Sequence, residues 1–81
     1  MKVRVRVFAA LREILGKEEV EVELPEGTTV DGLWTQLVAD DERLAPFTKS
    51  INFALNHDFV GKETELSPND EVAFLPPVSG G

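Results

Sequence analysis

The apolar pattern predicts an α+β domain, a mixed β-sheet with one main helix packed on one face. Three observations carry it. Lys2–Val7 and Glu19–Leu24 alternate apolar and charged residues, the two-residue period of a strand with one face in a core and one in water. Val30, Leu33, Trp34, Leu37 and Val38 recur at i, i+3, i+4, i+7 and i+8, a single stripe along a helix. Shorter strand-like runs follow, and the last of them is Val72–Leu75. Strands and a helix that each have one apolar side bury those sides against one another as two layers.

In the first strand Val3, Val5 and Val7 face one way and Lys2, Arg4 and Arg6 the other. Phe8 falls on the basic side and breaks the pattern. A large aromatic there belongs either to a small cluster beneath a loop or to a surface that another molecule covers. Ala9–Gly16 has the composition of a short helix with glycine just past its end. Its Leu11, Ile14 and Leu15 share one side, and Arg12 and Glu13 read as solvated.

Glu19–Leu24 is the second strand, apolar in and acidic out. If it pairs antiparallel with the first, Lys2, Arg4 and Arg6 lie across from Glu19, Glu21 and Glu23. Each such pair contributes about 0.2–1 kcal/mol, so the charges read as sheet surface. Pro25–Gly27 is a turn. Thr29 is placed to cap the main helix, and Asp31 suits the positive end of its dipole. Gly32 inside that helix costs about 1 kcal/mol relative to alanine, and close packing against the sheet would account for it. Trp34 reads as core. Asp40–Arg43 ends the helix in a charged loop, with Leu44, Pro46 and Phe47 tacking it to the body. Ile51–Asn56 is a third strand, His57–Asp58 a turn, Phe59–Val60 a short edge and Glu63–Leu66 another short piece. Ser67–Asp70 turns into the final strand, with Asn69 at a position that takes positive φ.

Eighty-one residues form one domain with a small core. There is no cysteine, so no disulfide, thiol nucleophile or thiolate ligand is available, a composition that suits the cytoplasm. With a single histidine, His57, no metal site is expected. The net charge of −7 argues against nucleic acid and anionic membranes as partners and favours a basic groove on another protein. No apolar stretch approaches the length of a membrane span. No phosphate-binding loop, dinucleotide turn or nucleophilic triad can be assembled. A carrier or subunit role therefore fits better than a free-standing enzyme.

The most informative stretch is the last. Pro76 and Pro77 stop the final strand, because neither has an amide hydrogen for a ladder. Val78, Ser79, Gly80 and Gly81 follow. The expected division is a domain over 1–75 and an extended tail over 76–81. Fully extended, that tail reaches roughly 20 Å. Its prolines stiffen the base, and its glycines leave the tip thin and uncrowded. The group it would present is the carboxylate of Gly81, able to enter a narrow active site on another protein.

Val7-Phe8-Ala9-Ala10-Leu11-Arg12-Glu13-Ile14-Leu15-Gly16 resembles the N-terminal signature of the small subunits of molybdopterin synthase, the MoaD-type sulfur carriers. Thr29-Val30 with Leu33 and Leu37, then Ala54-Leu55-Asn56, then Asp70 through Gly81 match that family in the same order. The first and last motifs are specific and the middle is generic. Asn69 departs from the family's usual glycine, but it tolerates the same left-handed backbone.

The resemblance implies a ubiquitin-like β-grasp fold with the first and last strands parallel and adjacent at the centre of the sheet. It implies that an ATP-dependent activating enzyme adenylates Gly81, which is then converted to a thiocarboxylate. No cofactor would be stably bound; AMP and sulfur would be carried transiently at the C-terminus. The large, catalytic subunit of molybdopterin synthase would be the partner, in a heterotetramer. The tail Pro77, Val78, Ser79, Gly80 and Gly81 would enter its active site and give sulfur to cyclic pyranopterin monophosphate, forming molybdopterin for the molybdenum cofactor. Phe8, Phe59 and Leu75, with Val78, would form the patch that docks this subunit.

Three other readings share some of these features. The chain would be a sulfur carrier for thiamine or tRNA thiolation, a ubiquitin-like modifier joined to lysines, or an interaction module whose glycines are incidental. The Pro-Pro-Val-Ser-Gly-Gly ending and the Phe-Ala-x-Leu-Arg-Glu motif favour the molybdopterin branch.

Overall fold

The first strand, β1 (Lys2–Val7), buries Val3, Val5 and Val7 almost completely and leaves Lys2 and Arg4 exposed, as its alternation requires. It belongs to a computed structural model that describes residues 1–76 of the chain. Tail residues 77–81 lie outside the described residues. Helix α1 (Ala9–Leu15) inserts Leu11 into the core and ends at Gly16, whose φ of 73° is the left-handed cap that glycine adopts without a Cβ penalty. Strand β2 (Glu19–Glu23) then runs back antiparallel to β1.

Its register sets Lys2 opposite Glu23, Arg4 opposite Glu21 and Arg6 opposite Glu19, the predicted charge ladder. The ion pairs are less regular than the register. Lys2 reaches diagonally to Glu21 at 3.6 Å, and Arg4 turns to Glu71 on its other neighbour at 3.8 Å.

Helix α2 (Val30–Asp40) lays Val30, Leu33, Trp34 and Leu37 on the inner face of the sheet. Thr29 caps it: the Gly32 amide donates to Thr29 Oγ1 at 3.1 Å. Thr29→Ala is expected to lower stability by about 1 kcal/mol, read as a shifted midpoint in urea unfolding with an unchanged slope. The sequence suggests that Gly32 packs closely against the sheet; instead it is exposed in the first turn. A Cβ there would meet the Thr28 methyl at 3.2 Å, so the crowding lies at the cap and not in the core.

The charged segment after α2 is also not a loop. It is a short 3₁₀ helix over Glu42–Phe47. Asp41 starts it by accepting from the Arg43 amide at 3.1 Å and holds the Arg43 guanidinium at 2.7 Å. That hydrogen-bonded cation keeps the Asp41 carboxyl below the usual carboxylate range. Arg43 also donates to the Ile14 carbonyl and so ties this segment to α1. With three residues per turn, Leu44 and Phe47 share one side; both pack on the core, whereas Pro46 stays exposed.

Strand β3 (Asn52–Leu55) and the two-residue β4 (Asp58–Phe59) form a hairpin. The turn falls on Asn56-His57, one residue earlier than predicted. Both residues have positive φ, 49° and 76°, the geometry a two-residue hairpin demands and asparagine tolerates. Residues 63–66 contribute one isolated bridge, Thr29 to Glu65, and no strand. Asn69 takes φ 69° in the turn before β5 (Glu71–Leu75), as expected.

The sheet order is β2-β1-β5-β3-β4, with β1 and β5 parallel at the centre and the other pairs antiparallel. This is the β-grasp arrangement. Phe74 on β5 is the centre of the core, fully buried, with its ring 5.1 Å from Trp34 and 5.4 Å edge-on to Phe53. The Trp34 indole N–H, the one polar group that residue must satisfy, donates to Thr48 Oγ1 at 3.0 Å.

Candidate functional site: a trough on the outer face of the sheet

The face of the sheet away from α2 takes its shape from register. Arg6 on β1 pairs with Ala73 on β5, Ala73 with Ala54 on β3, and Ala54 with Phe59 on β4. One row across four strands therefore reads Arg-Ala-Ala-Phe. Two methyl groups in the middle, flanked by long side chains, leave a depression of about 320 Å³. Leu75 stands on one side of the row and Glu71 on the other, each two residues from Ala73 along β5.

The rims are aromatic. Phe59 is 77% exposed and Phe8 38% exposed, the exposed large apolar residues among those described. Phe8 does not continue β1. It keeps extended backbone at φ −136° and its carbonyl accepts from the Leu11 and Arg12 amides, so its ring turns away from the core as α1 begins. The Arg6 guanidinium lies 5.9 Å from the centre of that ring, within the range of a cation–π contact. The rest of the polar lining is paired. Glu71, only 14% exposed at its side chain, faces Arg4 at 3.8 Å and His57 Nε2 at 3.5 Å, the latter an ion pair when the imidazole is protonated.

Phe8, Phe59 and Leu75, the three residues predicted to form one patch, thus line one trough. Val78, predicted to join them, lies outside the described residues, as do Pro77, Ser79, Gly80 and Gly81. Pro76 follows Leu75 directly, so the chain leaves the sheet at the edge of this trough. Sequence reading missed Arg6, Ala54, His57, Glu71 and Ala73 as parts of the site. The available signal was the outward alternation Glu71-Ala73-Leu75, in which a small residue stands between two long ones. Among the described residues no group of three or more His, Asp or Glu is placed to hold a metal, and no helix is long and apolar enough to cross a membrane. What the trough offers is a small apolar floor, aromatic walls and one cation, the composition of a docking surface.

The ThiS family model matches residues 5–81, nearly the whole chain. The chain belongs to the ThiS family. One relative is a molybdopterin synthase sulfur carrier subunit of Chlamydomonas reinhardtii, 37% identical over 100% of both chains. Another of the same name, from Mycobacterium tuberculosis, is 39% identical over 100% of this chain and 99% of the relative. Solved structures agree on the β-grasp. A putative molybdopterin converting factor subunit 1 from Pyrococcus furiosus superposes with a TM-score of 0.85 at 32% identity, covering 96% of this chain and 99% of that one. The small archaeal modifier protein 1 of Methanosarcina acetivorans gives 0.82 at 30% identity, over 99% and 96%. A complex of subunits 1 and 2 of the molybdopterin-converting factor from Helicobacter pylori gives 0.71 at 26% identity over 100% of both chains.

Proposed function

We propose that this chain is the sulfur carrier subunit of a molybdopterin synthase and that Gly81 is its working end. One observation carries the reading: full-length relatives above one-third identity bear that name, and the family match runs through Gly81. The chemistry is coherent. A carboxylate resists nucleophiles, because resonance and negative charge oppose attack. Its oxygen attacks the α-phosphate of ATP, pyrophosphate leaves, and the acyl-adenylate that results has a good leaving group. Hydrosulfide supplied by the sulfur donor then attacks the acyl carbon, the bond to AMP breaks, and a thiocarboxylate is left. In the large subunit's active site that sulfur attacks an oxygen-bearing carbon of the cyclic pyranopterin monophosphate, and the carbon–oxygen bond breaks, its electron pair leaving with the oxygen, as the carbon–sulfur bond forms. Water then splits the acyl–sulfur bond, leaving sulfur on the pterin and returning Gly81 to a carboxylate.

The body of the protein supplies position. The trough bounded by Phe8, Phe59 and Leu75 docks the large subunit, and the tail enters the active site from the trough's edge. Tethering raises the local concentration of the sulfur at the acceptor without any new contact. The Helicobacter complex of subunits 1 and 2 supports the choice of partner. The activating enzyme is the second partner.

Incubation with ATP, a sulfur donor and the activating enzyme is expected to raise the intact mass by the difference between sulfur and oxygen, mapped to Gly81 by fragmentation. An unchanged mass with an active enzyme overturns the reading. A second reading, a protein modifier, is favoured by the likeness to the archaeal modifier protein. It predicts isopeptide adducts to lysines in cell extract, and the carrier reading predicts none.

A further inference from the structure

Among the described residues, Arg6 is the cation in the trough that has no acid. Lys2 and Arg4, on the same outward side of β1, are each paired, with Glu21 and Glu71. Arg6 stands opposite Glu19 in the ladder, yet no carboxylate of the described residues lies within ion-pair distance of it. Its guanidinium is drawn instead over the Phe8 ring, and its Nε–H is buried without an acceptor. Glu71, the acid that also lines the trough, is already held between Arg4 and His57. A buried donor left open costs free energy in the isolated protein, and the contact with the Phe8 ring holds the guanidinium beside the trough.

We infer that Arg6 receives a carboxylate side chain of the docked partner, an aspartate or glutamate set among apolar residues that fill the alanine floor. This rests on the trough being the docking face proposed above. Charge complementarity selects this occupant. The chain as a whole is strongly acidic, so a partner's basic surface meets most of it favourably; Arg6 marks a point in the trough where that preference reverses. An acid placed there is bound by an oriented fork, and a partner with lysine or a bulky apolar group at the same point is rejected. Arg6 thus sets specificity and register, and the aromatic rims supply contact area.

The test is calorimetric titration with the large synthase subunit at two salt concentrations. Four chains are compared: wild type, Arg6→Met, Arg6→Glu and Phe59→Ala. Arg6→Met keeps the apolar stem and removes the fork; it is expected to weaken binding about tenfold or more and to flatten the salt dependence. Arg6→Glu weakens it further, by about 100-fold. Thermal melting of each variant confirms that the fold is retained. Wild-type affinity and salt slope in Arg6→Met overturn the inference. Phe59→Ala tells the two levels apart: if it weakens binding while Arg6→Met does not, the trough docks the partner but Arg6 holds no acid. If neither changes binding, the docking face itself is misplaced. The chain's own terminal carboxylate is the other possible acid. Loss of the Arg6 effect in a chain ending at Pro76 identifies it as the occupant and overturns the inference; persistence of the effect there supports a partner acid.

Discussion

Phe74→Ala is expected to lower stability by about 3–5 kcal/mol, a large part of the roughly 5–15 kcal/mol that holds a typical domain folded. Three features of the site put the effect at the upper end. Phe74 is fully buried, its ring touches two other aromatic rings, and it lies on β5, the middle strand of the five. The sheet around it cannot close over the gap, because β5 is fixed by hydrogen bonds to β1 on one side and β3 on the other. Removing the ring leaves Trp34 and Phe53 facing an empty space. For a domain of this size each kcal/mol moves the melting temperature by about 4–8 °C, so a fall of roughly 15–30 °C is expected by circular dichroism. Phe59→Ala is the contrast. Its ring is mostly in water, and its removal is expected to shift stability by no more than about 0.5 kcal/mol. A small shift for Phe74→Ala would mean that the core is not centred on β5.

This pair of phenylalanines also marks how far sequence carries the fold. Both sit in strands and both are large and apolar. Val72 and Phe74 keep one phase through the final strand, which places them on one face, and the structure shows that face to be the core. Phe59 was legible as part of an edge and, through the family resemblance, as part of a docking patch. The β1–β5 pairing at the centre came from that resemblance too; alternation says which face a residue takes, not which strand lies beside it. What brings Phe59 next to Arg6 is a register across four strands, and no local pattern encodes it. The hairpin turn and the 3₁₀ helix were missed for a related reason. Positive φ at both Asn56 and His57 is a choice between neighbouring positions that the pairing of Leu55 with Asp58 decides. The helix at Glu42–Phe47 depends on an Asp41–Arg43 clasp and on where the core can accept Leu44.

Deleting Gly81 is expected to stop sulfur transfer while leaving the rest of the protein as it was. The chain would still end in an unhindered glycine carboxylate, since Gly80 lacks a Cβ as well. Its chemistry is therefore unchanged, and only its reach is shorter, by one residue or about 3.3 Å. Reaction in a tethered complex depends steeply on that reach. A displacement of about 1 Å can cost 100-fold when the reacting atoms must meet within bonding distance. Single-turnover transfer of sulfur in the presence of the large subunit is thus expected to fall by at least about 100-fold. Melting temperature stays at the wild-type value, because Gly81 lies beyond the last strand and, among the described residues, the buried core ends at Phe74. Affinity for the large subunit stays within about twofold, because the trough between Phe8 and Phe59 is intact. Separate readouts for folding, docking and transfer make the result decisive. A chain that ends at Gly80 and transfers sulfur at the wild-type rate would mean that the fold does not measure out its tail. The reading of β5 as a fixed origin from which the terminus is aimed would then fail, even if the docking face stood.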